Sequence, residues 1–195
     1  LILEGSSKLM EKVRISGGGR CNVTHASWIP SELAENYPRG GIKLIESFNR
    51  FAAGDVFDWF EKRGLRLKIE GDLRVFPISN SSLDVINCLK KSATSKGVEI
   101  STKFFVKEIS KTADKFFIIA NNENYSIITK NIILSTGSHT RGYKLAENLG
   151  HRIVKPVPSL FTLSTKEPKL YECSGVSIKN IDVELKMNNK SFTNR

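Results

Sequence analysis

The sequence predicts an α/β fold, a mainly parallel sheet with helices on its faces, joined by a three-stranded antiparallel meander. The first observation is an apolar run, Leu1–Glu4, that closes on an acid and is soon followed by a glycine-rich polar loop, Ile15–His25. The second is a helical pattern near 81–97, then strand-like runs between 103 and 129 spaced by short polar turns. The third is Ile132-Ile133-Leu134, which suits a buried parallel strand and ends in Ser135-Thr136-Gly137-Ser138.

The chemistry centres on Gly17, Gly18 and Gly19. Without Cβ atoms they admit a ligand close to the backbone and reach positive φ at no steric cost. Successive N–H groups in such a turn can converge on an anion. Arg20 follows with a planar fork of donors that suits phosphate, and Ser16, Asn22 and Thr24 add short polar side chains. Three glycines by themselves are also ordinary turn chemistry. With the polar residues included, the stretch favours a bound phosphate or cofactor. Cys21 reads as a small packing residue or as a redox thiol. In dinucleotide-binding folds an acid at the end of the second strand binds ribose hydroxyls, which points to Glu4. The alternative for Glu4 is an ordinary exposed strand end.

The rest of the chain follows in order. Residues 26–40 are polar, contain Pro30 and Pro38, and read as a loop. Ile45, Phe48, Phe51 and Ala52 fall at helical spacing. Gly54-Asp55 is expected to break that helix and cap another, whose face is Val56, Phe57 and Phe60 and whose end is Gly64. Arg74 lies on an otherwise apolar segment, Arg74–Ser79. A buried unpaired charge is costly, so Arg74 either binds substrate or pairs with an internal carboxylate. Ser81 and Asp84 resemble a capping box opening a helix that closes at Gly97. The meander is read as Lys103–Ile109, Lys115–Ala120 and Tyr125–Thr129, and Tyr143–Leu149 as a helix closed by Gly150. Pro156 and Pro158 stiffen the chain before the strand-like patterns of 160–195.

Ser16-Gly17-Gly18-Gly19-Arg20-Cys21-Asn22-Val23-Thr24 resembles the signature of a bacterial family of NAD(P)/FAD-dependent oxidoreductases. That family includes aminoacetone oxidase-like flavoproteins and a bile-acid dehydroxylation-pathway reductase. Arg74-Val75-Phe76-Pro77-Ile78-Ser79 resembles its second signature, Gly-Arg-Val-Phe-Pro-x-Ser, with Asp72-Leu73 standing where the family commonly has glycine. His151–Leu160 resembles its Gly-His…Pro-x-Leu stretch, so the matches span nearly the whole chain. The resemblance implies a Rossmann-like, glutathione-reductase-type FAD-binding domain over 1–156, and the start of an inserted β-rich domain over 157–195. The G-x-G-x-x-G fingerprint of the first βα turn is then expected upstream of Leu1, and the chain reads as an N-terminally truncated first half. The implied cofactor is FAD, with NAD(P)H as the candidate electron donor and a small molecule as substrate. The implied FAD ligands are Glu4 at the ribose, the Ser16–Thr24 residues along the phosphate-to-ring path, Val106 at the adenine, and Thr136 and Gly137 at the returning turn. The loop after Gly137 is shorter than the family's, and no residue is singled out as a catalytic acid or base.

Composition bounds these readings. At 195 residues and 39% hydrophobic content, the chain can form one large domain, or one and part of a second. It contains no long apolar stretch and opens on nothing like a signal peptide, so no membrane association is expected. Cys21, Cys88 and Cys173 form no CxxC pair, and His25, His139 and His151 are scattered, so no metal site is expected and a reducing cytoplasm is the simplest setting. The net charge of +10 favours anionic ligands, but the basic residues are dispersed, which fits a solvated surface better than a nucleic-acid partner. The competing functions are a non-enzymatic basic nucleotide- or RNA-binding module and a degenerate flavoprotein paralogue.

Overall fold

The computed structural model describes residues 1–120, 126–157, 182–187 and 190–194. The chain divides into two compact units, Leu1–Ile153 and Val154–Arg195.

Among the described residues the first unit holds two small cores. One lies between a three-stranded antiparallel sheet and three helices. β2 (Thr24–His25), β4 (Arg74–Pro77) and β3 (Leu67–Ile69) pair in the order β2-β4-β3. Val75 of the central strand is fully buried, and Cys21, Phe60, Leu67 and Val85 close around it. Val13 comes from α1 (Glu11–Gly19), Phe57 and Phe60 from α4 (Ala53–Glu61), and Val85 and Leu89 from α5 (Ser82–Thr94). The buried Ser82 hydroxyl donates to the Arg14 carbonyl at 2.7 Å, tying the start of α5 to α1. The expected capping by the Ser81 side chain is not made.

The second core is built on the meander, which forms as the sequence predicts. β6 (Val106–Thr112), β7 (Lys115–Ala120) and β8 (Ser126–Thr129) pair antiparallel in that order. Ile109 and Ile118 lie opposite each other on the inner face, and α6 (Thr140–Asn148) lays Leu145 against them. The first strand begins at Val106 rather than Lys103. The Lys103 and Phe104 N–H groups are engaged elsewhere, by the carbonyls of Ser6 and Glu4.

The large parallel sheet is reduced to one pair among the described residues, β1 (Ile2–Leu3) with β5 (Ile100–Ser101). β1 is half open rather than buried, with Ile2 43% exposed. Ile132–Leu134 carries no strand, and Ile133 is 91% exposed. An apolar run becomes a strand when a neighbour takes up its backbone N–H and C=O groups, and none of the described residues pairs with this run.

Two local readings need correction. The stretch 26–40 contains a helix, α2 (Pro30–Glu35), because Pro30 stands in the first turn, where a missing N–H costs nothing. The break after α3 (Gly41–Arg50) falls at Phe51-Ala52, ahead of Gly54. The Asp55 carboxylate reaches back to accept the Ala52 N–H at 2.8 Å, so Gly54 and Asp55 sit inside the first turn of α4. Helix ends behave as read: Leu65, Val98 and His151 return their N–H groups to Phe60, Ala93 and Ala146, just past Gly64, Gly97 and Gly150.

In the second unit, β9 (Val183–Met187) and β10 (Lys190–Asn194) form an antiparallel hairpin. The strand patterns read over 160–181, including Ser174–Ser177, lie outside the described residues. Among the described residues no helix is long and apolar enough to cross a membrane.

The turn between β3 and β4 holds a strained residue. Leu73 sits at φ 63°, with its N–H bonded to the Glu70 carbonyl at 2.9 Å. It occupies the place where the resembled signature carries glycine. A left-handed conformation costs an L-residue about 1–2 kcal/mol, while glycine adds about 0.5–1 kcal/mol of unfolded-state entropy. Leu73 is 48% exposed and has little packing to lose. Leu73→Gly is therefore expected to raise stability by about 0.5–1 kcal/mol, read as an upward shift of the thermal midpoint.

Candidate functional site

The glycine loop forms where α1 abandons helical geometry. Ser16 turns extended (φ −64°, ψ 148°), and Gly17, Gly18 and Gly19 then take φ of 56°, 66° and 85°. Three left-handed residues in succession are accessible to glycine and costly to any other residue. The Cys21 N–H closes the loop on the Ser16 carbonyl at 3.0 Å. The three glycines face different surroundings. A Cβ on Gly17 would lie 3.0 Å from both the Asn22 nitrogen and Phe76 Cε1. A Cβ on Gly18 would meet nothing within 4 Å, and one on Gly19 only the Arg14 carbonyl at 4.0 Å. One glycine is thus seated against protein and two look into open space.

β4 backs the loop. The Val23 N–H donates to the Val75 carbonyl at 2.9 Å, and the Val75 N–H donates to Asn22 Oδ1 at 3.2 Å. Thr24 pairs with Val75, and His25 with Arg74. Phe76, fully buried, carries the Arg20 guanidinium 3.9 Å above its ring centre. Arg20 Nη1 also donates to Glu70 Oε1 at 2.7 Å, with the two side chains 33% and 27% exposed. Arg74 lies 5.3 Å from the same ring, reaches Glu70 Oε2 at 3.7 Å, and holds Asp72 Oδ2 through Nε at 2.7 Å. Lys68 Nζ stands 3.8 Å from Glu70 Oε1. Of the two readings of Arg74, pairing with carboxylates is the one this arrangement satisfies. Desolvation pushes the Asp72 carboxyl up, but bonds from the Arg74 N–H and guanidinium outweigh it and hold it below its usual value. Cys21 lies in the hydrophobic core and packs there, and the Ser16 hydroxyl donates to the Val13 carbonyl at 2.8 Å.

The remaining sequence-predicted residues gather elsewhere in the unit. The backbone of Glu4 bonds to Ser101 and Phe104, and its Oε1 accepts the Ser6 N–H at 2.7 Å, leaving the second oxygen. The Val106 carbonyl accepts from Arg141 Nη1 at 3.2 Å. Leu3, Val106 and Ile132 pack on the same cluster beneath. Thr136 is seated on α6, its Oγ1 filling the place where a Cβ on Gly142 would point. Gly137 touches α1, since its Cβ would lie 2.9 Å from Lys12 Nζ. An open groove of about 450 Å³, lined by Arg63, Arg66, Asp84, Cys88 and Lys91 among others, involves none of these residues. Burial pushes the Cys88 thiol up from its ordinary value.

Sequence reasoning missed Glu70 and Phe76 as partners of Arg20. A signal was present only for Arg74: a charge on an apolar segment needs a partner, and the acids Glu70 and Asp72 stand shortly before it.

Over residues 1–194 the chain matches the family described as HI0933-like protein Rossmann domain. It is 27% identical over 183 residues to the 3-dehydro-bile acid delta(4,6)-reductase of Clostridium scindens, covering 90% of this chain and 43% of that protein. It is 22% identical to the ribosomal RNA dihydrouridine synthases of Haemophilus influenzae and Escherichia coli, covering 91% and 93% of this chain and 46% of each of those proteins. The chain therefore spans less than half the length of these relatives.

Proposed function

The chain belongs to the HI0933-like Rossmann-domain family, and from that premise we propose that the protein is a flavin-dependent oxidoreductase that seats FAD along the glycine loop. The observation that carries this reading is the loop itself. Gly18 and Gly19 hold left-handed backbone and look into open space, a Cβ on Gly18 meeting nothing within 4 Å and one on Gly19 only the Arg14 carbonyl at 4.0 Å. Arg20, next in sequence, has its guanidinium already fixed on Phe76. Such a surface suits an anionic group approaching the backbone.

Bound flavin would supply the electron transfer, and the protein would bind and orient it. Gly17–Gly19 and Arg20 would take the phosphate-to-ring path. The free Glu4 oxygen would meet ribose, and the Val106 backbone the adenine. Thr136 and Gly137 would turn the chain back towards the cofactor. Ser16, Cys21 and Asn22 would shape the loop, since their polar or sulfur atoms are already engaged within it or in the core. The free thiols of Cys21 and Cys88 suit a reducing cytoplasm.

The test is to purify the protein as its gene encodes it and record its absorbance after gel filtration. A flavin spectrum is expected, with FAD released on denaturation and bleaching by NADH or NADPH identifying the donor. A colourless protein that takes up no added FAD would overturn the cofactor assignment.

A second reading concerns the substrate. Arg63, Arg66 and Lys91 line the open groove together with one carboxylate, Asp84, and two relatives are named as ribosomal RNA dihydrouridine synthases. On that reading the flavin site serves an RNA substrate bound through its phosphates. RNA affinity would then fall steeply between low and high salt, whereas flavin retention would not.

A further inference from the structure

Glu70 stands at the centre of a cluster that the glycine loop alone does not reveal. Its carboxylate lies within 4 Å of three cations, with Arg20 nearest at 2.7 Å and Arg74 and Lys68 at 3.7 and 3.8 Å. Arg20 is held in two independent ways: Glu70 fixes one terminal nitrogen, and Phe76 fixes the plane at 3.9 Å. An arginine side chain carries large rotamer freedom, and any ligand that orders it bears that cost. Here the cost is met within the folded chain. The bond to Glu70 uses one of the five guanidinium donors and leaves the rest. Two acids, Glu70 and Asp72, stand against three cations, so the cluster remains net positive towards an anion.

We propose that Glu70 is a positioning residue of the cofactor site, holding Arg20 flat on Phe76 so that its remaining N–H groups stand ready for a phosphate-bearing ligand beside Gly18 and Gly19. This rests on the glycine loop being the FAD seat. The proposal has a sign that simple electrostatics does not share. Removing a negative charge near an anion site strengthens anion binding if charge is all that matters. Removing a positioning group weakens it.

The experiment measures FAD affinity by fluorescence quenching for the wild type, Glu70→Gln, Glu70→Asp, Arg20→Ala and the double variant Glu70→Gln/Arg20→Ala. Glu70→Gln is expected to weaken binding about ten-fold, the scale on which outer partners of binding groups act. Glu70→Asp keeps the carboxylate and should recover most of that loss. In the Arg20→Ala background, Glu70→Gln should cost nothing further, because its effect passes through Arg20. A double-mutant cycle on the unfolding of flavin-free protein gives a second readout, and coupling between the two residues is expected there. Unchanged or tighter FAD binding by Glu70→Gln, a full loss persisting without Arg20, or absence of coupling would each overturn the proposal. If the wild type itself takes up no FAD, the cofactor reading falls and this inference with it. If the wild type binds and Glu70→Gln binds equally well, this inference alone falls.

Discussion

Phe76→Ala is expected to lower the stability of the first unit by about 3–5 kcal/mol, the range for emptying a buried phenylalanine site. Phe76 is fully buried at the centre of β4, and its ring supports both Gly17 and Arg20. A typical domain has about 5–15 kcal/mol in total, so the variant should sit close to unfolding at physiological temperature. Phe76→Leu keeps most of the volume and should lose about 1.5 kcal/mol or less. Urea unfolding of the three proteins measures the series. A loss below about 1 kcal/mol for the alanine variant would mean that the ring is not packed as described.

The second large effect is expected at Gly17. Gly17→Ala meets two costs: about 1–3 kcal/mol for a non-glycine residue at φ 56°, and about 1–3 kcal/mol for overpacking at 3.0 Å against Phe76 and a backbone nitrogen. Gly18→Ala meets the conformational cost alone, because its Cβ would enter open space. The order of stability should therefore be wild type, then Gly18→Ala, then Gly17→Ala, with Gly17→Ala also losing bound flavin. Thermal melts with and without FAD check both parts. Gly18→Ala falling below Gly17→Ala would show that the loop faces the other way.

The parts of the fold legible in the sequence were those with local causes. The meander was readable because strand-like runs separated by short polar turns carry their own instructions, and Ile109 and Ile118 meet across it. The glycine-closed helix ends were readable for the same reason. The glycine loop announced its backbone, and Gly17–Gly19 do take positive φ. What could not be read was who stands behind it. Arg20 looked like a free phosphate ligand because nothing near it in sequence is an acid that reaches it, and its partner Glu70 lies 50 residues away. The strand expected at Ile132–Leu134 failed for the converse reason: apolar character is local, but a ladder needs a neighbour. α2 was hidden by Pro30, which breaks a helix interior yet opens a first turn.

The way β4 holds the loop also sets when the loop can take shape. Asn22 waits for Val75, 53 residues further on, and Arg14 for Ser82, 68 residues further on. During synthesis the glycines emerge before β4 and the start of α5, and remain without these braces until those segments have followed. Contacts so distant along the chain form late, after the entropy of closing the intervening loop has been overcome. A peptide spanning residues 10–25 has no Phe76, no Glu70 and no strand to lean on, and should show no fixed left-handed turn by NMR. The loop's shape belongs to the assembled unit, and the three glycines only permit it.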